Sequence, residues 1–291
     1  MEIETVPVAG GVHMLVGAGG NIGLFAGRDG VFLVDDKYAV LNQKIRAAVG
    51  AIHPGPIRFV VNTHWHSDHT GGNELLSSAG SVVLAHDNVR KRMSNEQLNP
   101  FFGFPRERGP QKRMTEPAPA GALPPVTFDG TLTFHWDEEE IRVFHVEHAH
   151  TDGDAIVQWK KANVFHMGDV YFEGGFPLID VISGGSVDGV IAAADLVLSL
   201  ADEKTKIIPG HGPVATKKEL QRYREMLQTI RDRVQAAIAA GKTLEQVQAA
   251  RPTREWDEKL GKVFVSSDWL TASIYTSLTG ERSTPARAAT R

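Results

Sequence analysis

The segment THWHSDHTGG, at residues 63–72, places three histidines and one aspartate within the six positions from His64 to His69. Packed together, such groups would repel or desolvate one another unless a cation gathered them. The chain has no cysteine, so disulfides and thiolate metal sites are excluded, and any metal must be held by imidazole and carboxylate groups. The fold must therefore bring further ligands of these types to the same place.

Candidate partners follow apolar runs that are typical of buried strands. His150 closes the predicted strand IRVFHVEHAH, Asp169 follows the run NVFHM, and His211 follows KIIP within PGHGP. The cluster itself follows the run IRFVVNTH, and Asp35 ends the early run VFLVD. Because rigid strand ends can aim side chains at one point, the sequence predicts that these residues form one site.

The arrangement of apolar runs indicates an α/β fold. The glycine-punctuated runs VHMLVG, NIGLFAG and GVFLVDD predict antiparallel strands, and AVLNQKIRAAVGAI predicts a helix. The order strand, helix, strand follows from IRFVVNTH, GGNELLSSAG and SVVLAH. Near the C-terminus, apolar spacings of three and four predict the buried face of a long helix that ends near Gly241. That face consists of Leu220, Tyr223, Leu227, Ile230 and Val234.

We expect one domain over residues 1–291, with a core at about 5–240, a helical extension at about 241–280 and a frayed tail at 281–291. Residues 99–125 differ from the rest because they hold seven of the 15 prolines. Such an irregular segment is either a lid over the substrate or a loose connection. Phe101, Phe102 and Phe104 would suit a lid that lines an apolar pocket, or would simply pin the loop to the body.

Composition narrows the class of partner. The net charge is −4, from 31 basic and 35 acidic residues, and no basic run would follow a phosphate backbone. No stretch approaches the roughly 20 apolar residues of a membrane span. We therefore expect a small-molecule substrate, no nucleic acid and no membrane, while the oligomeric state stays open. The N-terminus does not resemble a signal peptide, but the compartment stays open: cytoplasmic as the chain stands, or periplasmic if a signal peptide was removed.

The segments THWHSDH, HTDGD, GD and PGHG, with Asp35 after VFLV, resemble the metallo-β-lactamase superfamily in residue type, spacing and order over about residues 5–215. The resemblance implies a four-layer αβ/βα sandwich, in which two facing mixed sheets are flanked by helices. It also implies a binuclear metal site at one edge of the sheets.

Carried over position by position, the resemblance implies that His64, His66 and His150 bind one metal. It implies that Asp68, His69 and His211 bind the second, and that Asp169 bridges the two. Three more residues are expected to support the ligands without touching metal: Asp35, His148 and Asp154. The prediction for His148 depends on an extended strand, on which it would face the same side as His150.

The implied cofactors are two Zn²⁺ ions, although imidazole and carboxylate ligands also suit iron or manganese. In this interpretation a hydroxide that bridges the metals attacks the substrate carbonyl, and Asp68 orients that hydroxide. Tyr171 could donate a hydrogen bond to the developing oxyanion. We expect residues 171–186, with Phe172, to line the substrate pocket.

The sequence departs from the cysteine-bearing β-lactamases, which have a cysteine where Asp169 lies and a lysine where Phe172 lies. The bridging aspartate is similar to glyoxalase II and to acyl-homoserine lactonases, although a basic patch for glutathione is not evident. The sequence thus predicts a binuclear zinc hydrolase of a β-lactam, lactone, ester or thioester. Two alternatives remain: a mononuclear-iron redox enzyme similar to persulfide dioxygenases, and a phosphodiesterase.

Overall fold

One central strand shows how the alternation of side chains builds the layers. In the computed structural model, which describes residues 2–98 and 114–280, the strand Gly30–Val34 is buried along its whole length. Val31 and Leu33 pack with residues of a neighbouring helix, whereas Phe32 and Val34 pack against a second sheet. A strand that is apolar on both faces lies between two layers.

The described residues form fifteen strands and nine α-helices. The strands are β1 (Glu4–Ala9), β2 (Val12–Val16), β3 (Ile22–Gly27), β4 (Gly30–Val34), β5 (Ile57–Val61), β6 (Val82–His86), β7 (Gln97–Leu98), β8 (Met114–Thr115), β9 (Val126–Phe128), β10 (Thr131–Trp136), β11 (Glu139–His145), β12 (Ala155–Trp159), β13 (Val164–His166), β14 (Lys206–Ile208) and β15 (Ala215–Thr216). The helices are α1 (Asn42–Ile52), α2 (Ser67–Thr70), α3 (Asn73–Ser78), α4 (Asp87–Met93), α5 (Val187–Leu200), α6 (Lys217–Ala239), α7 (Leu244–Ala249), α8 (Asp257–Leu260) and α9 (Ser267–Thr279).

Both large sheets are mixed. The first has the order β1-β2-β3-β4-β5-β6-β9, antiparallel from β1 to β4 and parallel from β4 to β9. The second has the order β10-β11-β12-β13-β14-β15, in which β13 and β14 are parallel and the other pairs antiparallel. The chain passes from the first sheet to the second between β9 and β10, at Asp129 and Gly130.

Three apolar clusters define four layers. Residues of α1 and α3 pack on the outer face of the first sheet, for example Ile45 and Leu76. The two sheets face each other through residues such as Phe32 and Trp159. Residues of α5, α6 and α9 cover the outer face of the second sheet. The predicted αβ/βα sandwich of two mixed sheets flanked by helices is confirmed.

The predicted long helix is α6, which begins at Lys217 and ends at Ala239. Thr216 and Glu219 form a capping box at its start, and this satisfies amide groups that lack helical partners. All five residues of the predicted apolar face are buried. The C-terminal helix α9 packs in the same apolar cluster as α6, through Leu270 and Ile274.

Two expectations fall on residues whose structure is not described. Phe101, Phe102 and Phe104 lie outside the described residues, as does the predicted tail at 281–291. β7 and β8, which lie on either side of residues 99–113, pair as a two-stranded ribbon. No helix in the described ranges is both long enough and apolar enough to cross a membrane.

The strand predicted to end at His150 is shorter than expected. β11 ends at His145, and residues 146–150 form a loop that returns to β12. The carbonyl of Asp154 accepts hydrogen bonds from the amide of Val146 and from Nδ1 of His145, which turns the chain before His150. His150 therefore lies on a loop at the sheet edge and not on the strand itself.

The buried aromatic contact between the sheets gives a test of the sandwich. Phe32 is fully buried, and its ring meets Phe134 of the facing sheet edge-on at a centroid distance of 4.9 Å. We expect Phe32→Ala to lower the free energy of unfolding by about 3–5 kcal/mol, because it removes a buried ring and leaves a cavity. Chemical denaturation measures this change. Val40→Ala, at a residue 87% exposed, should change stability by less than about 0.5 kcal/mol; equal effects would contradict the layer assignment.

Candidate metal centre

The predicted ligands come together at one edge of the sandwich as two groups. His64, His66, His150 and Asp169 form the first group, and each offers one ligand atom within 4.8 Å of the others. The second group consists of Asp68, His69 and His211, under the same distance limit. All seven predicted ligands thus meet, although they come from four separate stretches of the chain.

In the first group, three imidazole nitrogens converge. Nδ1 of His66 lies 3.1 Å from Nε2 of His64 and 3.0 Å from Nε2 of His150. Oδ2 of Asp169 lies 3.8 Å and 3.7 Å from the same two Nε2 atoms. All four side chains are buried. This group has three nitrogens and one oxygen facing a common point.

In the second group, the other oxygen of Asp169 takes part. Its Oδ1 lies 3.1 Å from Nε2 of His69 and 3.4 Å from Nε2 of His211. Oδ2 of Asp68 lies 3.6 Å and 3.4 Å from these two nitrogens. The carboxylate of Asp169 therefore presents one oxygen to each group, which is the geometry of a bridging ligand.

The second nitrogen of each buried imidazole has a partner that fixes the ring. Nδ1 of His69 donates to Asp35 at 2.7 Å, and Nδ1 of His150 donates to the carbonyl of Leu178 at 2.7 Å. Nδ1 of His64 lies 3.0 Å from Oγ1 of Thr63. Such partners select the tautomer and leave the ligating nitrogen as an acceptor that faces inward.

Asp35, which was expected to support the ligands, contacts the loop that carries the cluster. Its Oδ1 accepts the amide of Thr63 at 2.7 Å, and its Oδ2 accepts the Thr63 hydroxyl at 2.8 Å as well as His69. The backbone of Asp35 has φ 66°, a region that non-glycine residues enter at a cost. This conformation turns the carboxylate toward the loop that carries the histidine cluster.

Asp180 has an equivalent role that the sequence analysis missed. Its Oδ2 accepts Nε2 of His66 at 3.1 Å, and its Oδ1 accepts the amide of Ser183 at 3.0 Å. The available signal was an aspartate inside the apolar run FPLIDVI, because a buried carboxylate requires a partner. Asp180 follows no strand, so the search at strand ends did not find it.

Two buried polar atoms in these groups indicate that the residues suit a metal cation. Nε2 of His69 and Oδ1 of Asp169 are buried and, although 3.1 Å apart, neither makes a well-aligned hydrogen bond to a described atom. Unsatisfied buried polar atoms are rare and costly in proteins, and a metal ion would satisfy both. Imidazole and carboxylate donors suit zinc, iron or manganese.

Burial keeps two ligands of the first group neutral. It lowers the pKa of His150 to about 4 and holds the pKa of His64 well below its usual value. Burial would also raise the pKa of Asp169, but the facing His211, His69 and His64 outweigh it and hold this pKa well below the usual range. At neutral pH His64 and His150 are therefore neutral and Asp169 is ionised, which are the forms that bind metal.

The second group has the opposite balance without metal. Burial disfavours the imidazolium of His211, but Asp169 and Asp68 outweigh it and raise its pKa to about 9. The pKa of His69 is raised well above its usual value in the same way, against burial and mainly by Asp169 and Asp68. Without metal, protonated His69 and His211 thus supply the positive charge that a metal cation would supply.

Two glycines allow close approach around these ligands. A Cβ at Gly20 would lie 2.0 Å from the His69 ring, and a Cβ at Gly210 would lie 2.1 Å from Oδ1 of Asp169.

Asn21, next to Gly20, holds the loop of His211 in place. Its Nδ2 donates to the carbonyls of Pro209 and Gly212 at 3.0 Å and 2.8 Å, and its amide donates to Gly210 at 2.7 Å.

Two further predicted site residues, one supporting and one catalytic, do not face the centre. His148 is exposed, has φ 49°, and its Nδ1 contacts the carbonyl of Gly184. The prediction for His148 is wrong because the strand ends at His145, so alternation does not extend to residue 148. Tyr171 is buried against Tyr223, and its hydroxyl donates to Glu173. This geometry argues against Tyr171 as an oxyanion donor, because its proton is committed to a carboxylate.

Asp154 lies beneath the loop of His150. It accepts the amide and hydroxyl of Thr151 at 2.8 Å and 2.5 Å, and burial raises its pKa to about 8.

Lys37, which the sequence analysis did not single out, is fully buried, and its Nζ donates to the carbonyl of Gly20. Burial lowers the pKa of Lys37 to about 8, against the opposing charges of Asp68 and Asp35.

A cavity of about 630 Å³ opens beside the two groups. His66, Asp68 and His211 line it, together with the predicted Phe172. Thr115, Glu116 and Ala118, from the proline-rich segment, also line it, as do Glu173 and Gly175 from the range 171–186 that was expected to line a pocket. The volume is in the range of small-molecule sites.

The comparisons with known proteins agree with this geometry. A family model described as the metallo-beta-lactamase superfamily matches residues 15–211. The chain is 29% identical over 159 residues to "Probable metallo-hydrolase YqgX" of Bacillus subtilis (strain 168), covering 53% of this chain and 68% of that protein.

Two solved structures show the same fold at low sequence identity. A metallo-beta-lactamase from Pontibacter korlensis has TM-score 0.62 and 16% identity, over 78% of this chain and 99% of its own. A double mutant of the sec-alkyl sulfatase PisA1 has TM-score 0.72 and 16% identity, over 99% of this chain. The match spans about half, 52%, of the sulfatase chain.

The contact between Asp180 and His66 gives a first prediction for the centre. We expect Asp180→Asn to weaken metal binding 10- to 100-fold, because His66 loses the charged partner that orients its ring. Competition with a chromogenic chelator measures the affinity. Asp87→Asn, at an exposed carboxylate on α4, serves as the control. An unchanged affinity in Asp180→Asn would contradict the supporting role.

The raised pKa of His211 gives a second prediction. At pH 7 this imidazole is protonated in the metal-free protein, so metal uptake must release its proton. Because the pKa is about 9, release from His211 should be complete at neutral pH and should vanish as the pH rises through that value. Calorimetric titrations in buffers of different ionisation enthalpy count the protons. A count that does not change from about pH 7 to pH 10 would contradict this assignment.

Proposed function

Because this chain belongs to the metallo-β-lactamase superfamily, we propose that it is a hydrolase that uses two metal ions, preferentially Zn²⁺, to cleave a small acyl substrate. The class comprises β-lactams, lactones, esters and thioesters. The observation that carries the proposal is the carboxylate of Asp169, whose two oxygens face separate groups of ligands. The relative named a probable metallo-hydrolase supports the same reaction class.

The residues have distinct tasks in this proposal. One ion would be held by His64, His66 and His150, together with Oδ2 of Asp169. The other ion would be held by Asp68, His69 and His211, together with Oδ1 of Asp169. When bound, zinc polarises a substrate carbonyl and lowers the pKa of coordinated water to about 7.

Asp68 is placed to orient the attacking water. Its side chain is 18% exposed and lines the cavity, whereas Asp169 is buried behind it. Burial would raise the pKa of Asp68, but His69 and His211 hold it well below its usual range. The carboxylate is therefore ionised at neutral pH and accepts a hydrogen bond from a water molecule that approaches from the cavity.

The geometry supports the hydrolase more than the two alternatives. A mononuclear-iron enzyme would leave the second group unused, yet the unsatisfied nitrogen of His69 belongs to that group. A phosphodiesterase would gain from cations that hold the remaining phosphate oxygens. Besides its histidines, the described lining of the cavity offers Arg92, and that guanidinium already pairs with Asp152.

Metal content tests the proposal directly. We expect elemental analysis of protein purified without added metal to give about two zinc ions per chain. The same sample should hydrolyse at least one of three substrates: a chromogenic cephalosporin, a lactone and a thioester. One iron per chain, with no hydrolysis and with oxygen consumption, would contradict the proposal and favour the redox alternative.

Asp68 provides the matching mutation. We expect Asp68→Asn to lower kcat at least 100-fold, because the amide no longer accepts a proton or orients water as the carboxylate does. Circular dichroism should show an unchanged fold. Asp29→Asn, in an exposed turn between β3 and β4, is the isosteric control and should keep full activity. A fully active Asp68→Asn variant would refute the role of this carboxylate.

A further inference from the structure

The walls of the cavity beside the metal centre are mostly aromatic and aliphatic. Tyr38, Trp65 and Met93 line it on the side of the first sheet and the helix α4. Phe172 and Phe264 line it near His211. Ligand sites of this kind combine apolar walls with a few polar groups that fix orientation, and the polar groups here are largely the metal ligands.

Two of these apolar wall residues come from the C-terminal region, beyond the residues that the family model matches. Val263 and Phe264 precede α9, whereas the match ends at residue 211. Val263 is 66% exposed and Phe264 is 43% exposed, although both are large and apolar. Adjacent exposed apolar side chains at the mouth of a cavity indicate a binding surface.

Phe264 lies beside His211, which places this apolar surface next to the metal centre. Its ring lies nearly parallel to the His211 ring, at a centroid distance of 6.4 Å and an angle of 18°. Phe172 meets the same imidazole at 4.8 Å. Phe264 also packs against Trp269 of α9 at 6.2 Å, so the helix holds it. Both rings therefore lie against His211, on the wall of the cavity that this ligand also lines.

The charges around the cavity disfavour a second anionic group on the substrate. In the part of the chain that the structure describes, Arg92 is the cation of the lining other than histidine. Its Nε and Nη2 each donate to Asp152 at 2.6 Å, and its Nη1 donates to Gln97 at 3.0 Å. Glu116 and Glu173 also line the cavity and add negative charge. Among the described residues of the lining, a substrate carboxylate away from the metal ligands would therefore find no free cation to offset its desolvation.

We infer that Val263 and Phe264 bind the apolar part of the substrate, and that the cavity selects acyl substrates whose non-reacting end is neutral and apolar over those that carry a carboxylate there. The inference rests on the proposed function for the reaction, but its content is the selectivity of the cavity. Val263 and Phe264 are thereby specificity-determining residues contributed by the segment between α8 and α9.

The test uses two esters that differ at one end. 4-Nitrophenyl hexanoate and mono-4-nitrophenyl adipate have acyl chains of equal length, one ending in a methyl group and the other in a carboxylate. With the metal-loaded protein we expect kcat/KM to be at least about tenfold higher for the hexanoate, the factor for a contact of about 1.4 kcal/mol. Phe264→Ala and Val263→Lys should each reduce this ratio about tenfold. Val40→Ala, at an exposed valine that does not line the cavity, should leave it unchanged.

A binding measurement separates this inference from the proposed reaction. 2-Octanone and 7-oxooctanoate carry the same pair of ends but cannot be hydrolysed, and their binding can be followed by tryptophan fluorescence because Trp65 lines the cavity. If neither ester is cleaved but 2-octanone binds about tenfold more tightly, and both variants lose that preference, the inference on selectivity holds, whereas the metal content and the assays with a cephalosporin, a lactone and a thioester decide the proposed reaction. Thermal unfolding checks that Phe264→Ala is folded, and Val263→Lys changes a side chain at the surface. Equal binding of the two ketones, or a preference that both variants retain, would overturn the inference.

Discussion

The structure of the centre depends on one buried carboxylate. Asp169 lies between two groups of imidazoles and presents an oxygen to each. A buried anion of this kind is costly unless opposite charge surrounds it. The surrounding histidines offset that cost, and each of the most buried rings is fixed by a partner such as Asp35 or Asp180. The loops at this edge of the sandwich therefore hold the imidazole rings around the carboxylate of Asp169.

The layers were predictable because their signal is local. In β4 the alternation of Val31 and Leu33 with Phe32 already indicates two buried faces, and the apolar spacing in α6 matches its buried side. The convergence of the seven predicted ligands at one edge was also predictable, because each predicted partner follows an apolar run and the motif resembles a known family. These inferences needed only the periodicity and the order of residues along the chain.

Other features depend on where a strand ends or on how a loop folds back, and the sequence does not encode these locally. His148 was misplaced because β11 stops at His145, and Asp180 was missed because it reaches His66 from an irregular loop. The hydroxyl of Tyr171 was available to Glu173 two residues later, a local contact that periodicity alone does not indicate. Phe264 reaches the cavity only through the packing of α9, more than fifty residues after His211.

The crossing of the chain at Asp129-Gly130 has a consequence for how the molecule holds together. Residues before it form the first sheet and supply His64, His66, Asp68 and His69, whereas residues after it form the second sheet and supply His150, Asp169 and His211. Each group of ligands therefore draws on both halves of the chain. A bound ion would act as a cross-link between the halves at the open edge of the sandwich, and neither half alone would retain a complete set of ligands. Loss of metal would then loosen the seam between the two sheets as well as the site.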